Sequence, residues 1–524
     1  MPSKPDVSRQ NASPGGPPRP SQTKIVATVG PANESPEMLA RLIRAGVDVF
    51  RLNMAHGGPQ QQQPRLEAIR RASDEVGQTV AVLTDLAGPK IRLGPLPDDQ
   101  VTLDADDTVE FIRPATEEGQ GEGGTGKTSA ASEPLPPPTP HENGGHTYRL
   151  TTTYERLIDE LAPGDRIMLA DGTVALHVEH VDDDCARCSV SQPGLIRSRQ
   201  GVNLPGVKLS VPALGPEDRE NATWAAEQEI DFVGLSFVRR PGEVTELQQL
   251  LEEHKPSASA SRGQVIAKIE KPEAVEHIDQ IIDATDGIMV ARGDLGVEID
   301  IAEVAVVQKR IIAECRRRRK PVIVATQMLD SMQHARVPTR AEVADVANAI
   351  LDGADACMLS GETAIGKYPV QSVEMMHRIA LATEPLCSRQ PHAREEIGPV
   401  EGDHAITETT VLAAGRMAEQ LDAKMIVVAS ASGATALSIA KNRHSVPAVG
   451  VSDSPNTLRR MCLYWGVFPL AGVPTAEPRA MLEHVTDWAR RIGSLNPGDR
   501  VILVAGTGLS SSAHNVIVVH ELDK

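Results

Sequence analysis

Short apolar runs alternate with amphipathic stretches along most of this chain. Eight of the runs cover residues 24–30, 47–53, 80–86, 231–237, 264–270, 287–293, 321–327 and 356–362. Each is rich in Val, Ile, Leu and Ala and too short to stand alone as a helix. Between them, residues 37–45, 217–227, 274–284, 304–317 and 339–351 carry apolar side chains at helical spacing. Strand alternating with helix predicts a parallel sheet, and runs apolar on both faces predict one buried on both sides. Eight such units predict an α/β fold with a (β/α)8 TIM barrel at its centre, its chemistry placed where the strands end. Those ends carry Arg51, Asn53, Asp85, Ser236, Lys268, Glu270, Arg292, Asp294, Thr326 and Glu362. Packing has no use for such a set; anionic-substrate and metal chemistry does.

The spacing breaks once. Between Asp85 and Asp231 lies far more chain than one helix needs, and residues 95–207 read as an inserted domain. Its β-like runs (108–112, 166–170, 174–180, 187–191) and its turn signals at Pro163-Gly164-Asp165 and Asp171-Gly172 predict a small β-barrel lid over the catalytic face. Within it, residues 114–146 are rich in Gly, Pro, Ser and Glu and read as a low-complexity loop. The barrel is expected to span 21–94 and 208–387. A helix near 370–383 and a polar linker at 388–403 lead to a third domain, 388–524, whose alternating runs predict an open α/β sheet. Residues 1–20 read as a disordered tail.

Composition narrows the partners. The chain has 524 residues, 40% of them hydrophobic but only 2% aromatic, so its cores are aliphatic. A net charge of −18 argues against nucleic-acid or membrane surfaces. An anionic substrate then needs a local cationic cluster, which the barrel ends supply. The six cysteines are scattered, and Cys185-x-x-Cys188 lacks a second pair, so reduced thiols in a cytoplasmic protein are expected rather than zinc. The sequence offers no signal peptide or membrane span. Asn11 and Asn221 match the glycosylation pattern, which means little without secretion.

Alternation along a strand puts Lys268 and Glu270 on one face. At a strand's carboxyl end such a pair can serve a phosphoryl group and a divalent cation together; a rim salt bridge is the plain alternative. The next strand ends in Arg292-Gly293-Asp294, whose glycine lets backbone N–H groups approach an anion. Asp294 and Glu270 then offer two hard oxygen ligands on neighbouring strands, the sparse protein ligation that magnesium prefers. A buried structural aspartate is the alternative. Thr326 brings a hydroxyl to the seventh strand's end, Glu362 a carboxylate to the eighth, and Arg51 a guanidinium suited to phosphate to the second. In the third domain, Ser430, Ser432, Gly433 and Thr435 lie between a strand and a helix, as a phosphate cradle or as an ordinary helix cap.

Taken in this order, the motifs resemble the pyruvate kinase family, from Lys24 onward. The resemblance includes Lys24-Ile-Val-Ala-Thr-Val-Gly-Pro31, Gly88-Pro-Lys-Ile-Arg92, Gly201-Val-Asn-Leu-Pro-Gly206 and Met328-Leu-Asp-Ser-Met332. It implies a barrel with a mobile lid and a carboxyl-terminal regulatory domain. It implies that phosphoenolpyruvate and ADP become pyruvate and ATP. Arg51 would hold the phosphoryl group, Lys268 would neutralise its charge in flight, and Glu270 and Asp294 would hold Mg2+ or Mn2+. Thr326 would help deliver a proton, Gly293 would receive the substrate carboxylate, and Asn53, His56 and Arg92 would lie on the nucleotide side. The Ser430–Thr435 loop would take a phosphorylated effector, and the assembly would be a homotetramer.

Three departures from the family's pattern, at five positions, stand out. Ala55 stands where a serine would offer potassium an oxygen. Lys90 replaces a glutamate and Leu86 a threonine, changes that resemble members needing no potassium, with Lys90 beside Asp85 supplying the charge. Arg199-Gln200 stands where a lysine pair is common. Residues 121–128 fit the P-loop pattern in full, but the Pro-rich sequence after them cannot be the helix a P-loop needs. The basic run 316–320 ends a predicted helix, where cations suit the dipole, and reads as a solvated helix end. A pyruvate-enolate lyase on a similar barrel would have no phosphoryl for Arg51 and Lys268 to clamp. A pseudoenzyme would have no need of an intact Lys268, Glu270, Asp294 and Thr326.

Overall fold

The computed structural model describes residues 21–113, 138–140, 144–387, 405–506 and 514–523. The tail 1–20, the P-loop look-alike, most of the 114–146 stretch and the linker before residue 405 lie outside the described residues. The eight apolar runs are the eight strands of one closed parallel barrel: Lys24–Thr28, Val49–Asn53, Ala81–Asp85, Phe232–Leu235, Gln264–Ile269, Gly287–Ala291, Val322–Ala325 and Ala356–Leu359. The ring closes where Lys24 pairs with Ala356. Val26, Leu83, Phe232, Ile266 and Met289 are buried within it, so the barrel is a packed core, not a pore.

The helices start and stop where their sequences say. Pro36–Ala45 is capped by Ser35, whose side chain accepts from the Met38 N–H, and it ends at Gly46, which adopts φ 133°. It buries Leu39, Leu42 and Ile43 against the barrel. Arg340–Asp352 opens with a reciprocal Thr339–Glu342 box and ends at Gly353.

The floor of the barrel follows a fourfold rule. Asp48, Asp231, Asp286 and Asp355 each stand just before an even-numbered strand. Their carboxylates accept the backbone N–H of Ile25, Val82, Val265 and Val322 on the preceding odd strand, at 2.9, 2.9, 2.9 and 2.8 Å. Each donor is a strand-start N–H that burial would otherwise leave costly. Each aspartate also meets a cation: Lys24 at 3.4 Å, Arg459 at 2.6 Å, Arg262 at 2.7 Å, and for Asp355 both Lys441 and Arg443. Arg459, Lys441 and Arg443 belong to the third domain. That domain therefore docks on the barrel's floor and leaves the opposite, carboxyl-terminal end open for chemistry.

The strands of the insertion form a seven-stranded sheet and a separate two-stranded one around Leu103, Phe111, Ile167 and Leu176. These are the strands of the expected small β-barrel lid, and among the described residues their hydrogen bonding does not close into a ring. The third domain is the expected open sheet: Val467–Pro469, Ala448–Val451, Met425–Ala429 and Arg500–Ala505 run parallel, with Val516–Glu521 antiparallel at the edge. The basic run is less solvated than its composition predicts. Arg318 pairs with Asp279, Asp283 and Glu314, and Arg319 reaches Glu408 of the third domain at 3.1 Å. Asn221 is fully buried in a helix, which closes its glycosylation pattern to modification. All six cysteines are free thiols. No helix among the described residues is long and apolar enough to cross a membrane.

Candidate active site

At the open end the strand termini converge on one buried ammonium. Lys268 Nζ donates to Ser236 Oγ at 2.7 Å and lies 2.9 Å from Glu270 Oε1 and 3.3 Å from Asp85 Oδ1. Burial alone would lower the Lys268 pKa, but Asp85 and then Glu270 outweigh it and hold it above the usual lysine range. The ammonium is therefore a fixed positive charge. Asp85 is shared. Its second oxygen accepts from Arg51 Nε at 2.7 Å, and Arg51 also donates to Thr28 Oγ1 at 3.2 Å. Burial would raise the Asp85 carboxyl, yet Lys268 and Arg51 together hold it below the ordinary range. One buried carboxylate thus sets two cations side by side, as an incoming phosphoryl group requires.

Glu270 behaves oppositely. Burial, joined by the negative charge of Asp294, raises its carboxyl pKa against the pull of Lys268. Two carboxylates that repel each other without a third acidic partner form a donor set that fits a magnesium-sized ion, which completes its shell with water and phosphate oxygens. Among the described residues no group of three or more His, Cys, Asp or Glu side chains could hold a metal, so a soft-metal cage is not on offer.

The remaining expected residues fall around this core. Thr326 adopts φ 70° and Gln327 φ 54°, left-handed conformations that are strained for a β-branched residue and cluster at functional sites. The Thr326 hydroxyl donates to the Ala325 carbonyl at 2.6 Å and accepts the Gly293 N–H at 2.7 Å. The Gly293 N–H, part of the backbone expected to receive a carboxylate, is thus held by Thr326. His56 lies within the field of Arg51, Arg92, Arg65 and Lys90; burial first, then those cations, lower its pKa. Asn53 caps the turn after the second strand by accepting from Ala55 N at 3.2 Å. Arg92 reaches the Arg199 carbonyl of the insertion at 3.2 Å.

Lys90 departs from its expected partner. Its ammonium lies 3.6 Å from Asp294 Oδ1, while Asp85 is occupied by Arg51 and Lys268. The Lys90 stem runs over Gly201 of the insertion, where a Cβ would meet Lys90 Cε at 3.0 Å. Two other strand-end residues serve the scaffold. Arg292 pairs with Asp345 at 2.7 Å and with the Thr326 carbonyl. Glu362 accepts from Leu329 N at 3.0 Å and Ser360 N at 2.7 Å, tying the last two strand ends together.

The sequence reading missed a second ring. Phe237 N donates to Glu270 Oε2 at 2.7 Å. Glu298 takes Lys271 at 2.7 Å and Asn203 of the insertion at 3.2 Å, which anchors the insertion on the barrel rim. Asn203 lies in the quoted Gly201-Val-Asn motif and Lys271 beside Glu270, so both were adjacent to the signal.

Comparison with known proteins agrees with this geometry. The family model described as "Pyruvate kinase, barrel domain" matches residues 20–125 and 140–373, and "Pyruvate kinase, alpha/beta domain" matches 408–520. A pyruvate kinase of Geobacillus stearothermophilus is 39% identical over 502 residues, 95% of this chain and 80% of the relative. One from Bacillus licheniformis is 37% identical over 501 residues, again 95% of this chain and 80% of the relative. The crystal structure of a pyruvate kinase from Cryptosporidium parvum superposes with a TM-score of 0.83 at 31% identity, covering 96% of both chains. With two family domains matched in order, and with a phosphate-ready pair of cations at the end of a closed barrel, the chain belongs to the pyruvate kinase family.

Proposed function

We propose that the cluster around Lys268 is where this enzyme carries out its family's glycolytic reaction, the transfer of a phosphoryl group from phosphoenolpyruvate to ADP to give pyruvate and ATP. The observation that carries the assignment is the buried Lys268 ammonium set beside Arg51 by a shared Asp85. Phosphoryl transfer asks for positioning and charge neutralisation more than for covalent chemistry. Arg51 holds the phosphoryl oxygens and Lys268 neutralises charge as the group moves. Glu270 and Asp294 hold the divalent cation on which the family depends, magnesium or manganese. Bound there, that ion would supply Lewis-acid neutralisation of phosphate charge. Thr326 positions the proton for the enolate carbon, and Gly293 exchanges its Thr326 contact for the substrate carboxylate. His56, Asn53 and Arg92 face the nucleotide, and Lys90 supplies the charge that potassium provides elsewhere. In a coupled assay of pyruvate formation, Asp294→Asn should weaken magnesium and manganese activation by about tenfold or more, the cost of losing a charged ligand. Unchanged metal dependence would rule out the metal assignment.

The third domain reads as regulatory. Ser430 Oγ accepts from Gly433 N at 3.0 Å, Ser432 Oγ accepts from Ala434 N at 3.4 Å, and Thr435 Oγ1 lies 3.2 Å from His514 Nδ1 at the start of helix Ala434–Lys441. This hydroxyl-rich helix start suits the phosphate of a sugar phosphate or a nucleoside monophosphate. Calorimetric titration of such metabolites should show binding that Ser432→Glu abolishes; binding by none of them, or binding untouched by the substitution, counts against the role. Domain limits near residues 95, 207 and 388, a cytoplasmic setting for the six free thiols, and a homotetramer complete the reading. Exposed Ile301 and Val306 on helix Ile301–Arg317 are apolar enough to serve subunit contact.

A further inference from the structure

We infer that Ser236 is a positioning residue for Lys268 and links it to the root of the insertion. The inference rests on the role of Lys268 proposed above. Ser236 directly follows the fourth barrel strand and is 1% exposed. Its hydroxyl accepts from Lys268 Nζ at 2.7 Å and donates to the Leu86 carbonyl at 2.7 Å. The direction of both bonds is forced, because an ammonium has only donors and a carbonyl only acceptors. The serine proton is therefore committed to Leu86, and a lone pair is always presented to Lys268.

The other two partners of Lys268 each have a second task. Asp85 holds Arg51, and Glu270 stands with Asp294 in the carboxylate pair that suits a metal. Both are charged and compete with a phosphoryl group for the ammonium. Ser236 is neutral. It fixes the position of the nitrogen while leaving the positive charge available to the substrate. The next residue extends the device: Phe237 adopts φ 54°, and this strained turn aims its N–H at Glu270. One turn thus orients both members of the Lys268–Glu270 pair.

Leu86 is where the chain leaves the third strand toward the insertion. Gly88, at φ 66°, packs so closely that a Cβ there would lie 2.9 Å from the Ser236 Cβ and 2.8 Å from the Phe237 ring. The segment that goes on to Lys90 and Arg92 is therefore seated on Ser236. A shift of that segment reaches Lys268 through one hydroxyl.

The test compares Ser236→Ala, Ser236→Cys and Ser236→Thr with Lys268→Met in one coupled assay, with melting temperatures recorded alongside. Cysteine keeps the shape but is a poor acceptor. Ala and Cys should both lower kcat by about tenfold or more, with KM for phosphoenolpyruvate little changed, because the lost contact orients the group that acts in the transition state. Thr keeps the hydroxyl and should recover part of that loss. If Cys matches wild type, or if KM rises at constant kcat, the side chain only fills space or binds substrate, and the inference is overturned. If Lys268→Met retains activity, the reading of Lys268 itself fails. If Lys268→Met is silent while Ala and Cys are normal, only the role of Ser236 fails.

Discussion

Lys268→Met should lose turnover by about a hundredfold or more while phosphoenolpyruvate still binds. Removing one preorganised charge from a water-poor site costs about 2.7–4 kcal/mol of transition-state stabilisation. Arg51 remains, held by Asp85 and Thr28, and can still grip the phosphoryl group. The substitution has a second cost, since it leaves Asp85 and Glu270 buried without their shared cation. Breaking a buried pair in this way costs about 3–5 kcal/mol of stability. Two features blunt that cost. Asp85 keeps Arg51, and Glu270, whose pKa burial already raises, can take up a proton. The variant should therefore melt lower yet stay folded. Circular dichroism and a binding titration with phosphoenolpyruvate separate the two effects, and near-normal turnover in the folded variant would sink the role.

How far the sequence foretold this site depends on the range of each contact. Lys268 and Glu270 were legible because a strand's two-residue period places them on one face, a local rule. The eight strands were legible for the same kind of reason. The partners were not. Asp85 is 183 residues from Lys268, and nothing near either says that one carboxylate will be shared between Lys268 and Arg51. Ser236 showed only as a strand-end hydroxyl, because its value lies in two bonds to other strands. Phe237 and Thr326 act through left-handed backbone that local propensity disfavours for their residue types. The floor aspartates did repeat in the sequence, one before each even strand. Their use lies in the strand-start N–H groups that they satisfy on neighbouring strands, contacts that no local pattern shows.

Lys90 gives the second large effect. The wild-type enzyme should work almost equally well in potassium and in a bulky organic cation at equal ionic strength, the control that removes screening from the comparison. Ala55 offers no side-chain oxygen to a monovalent ion, and Lys90 already brings an ammonium to the same rim. Its pair with Asp294 spans 3.6 Å between side chains that are 32% and 28% exposed. Such a pair is worth about 1 kcal/mol or less, weak enough to yield when a metal takes Asp294 and phosphates arrive. The lysine then turns to the phosphates, held in reach by its stem across Gly201. Lys90→Glu inverts that charge next to Asp294, where like charges repel. Activity in the organic cation should fall by about a hundredfold, as for other charge losses at a phosphoryl site. Potassium should restore part of it, and adding Ala55→Ser should restore more by supplying the missing oxygen. A wild-type enzyme that stays nearly silent until potassium is added would show that Lys90 does not replace the ion.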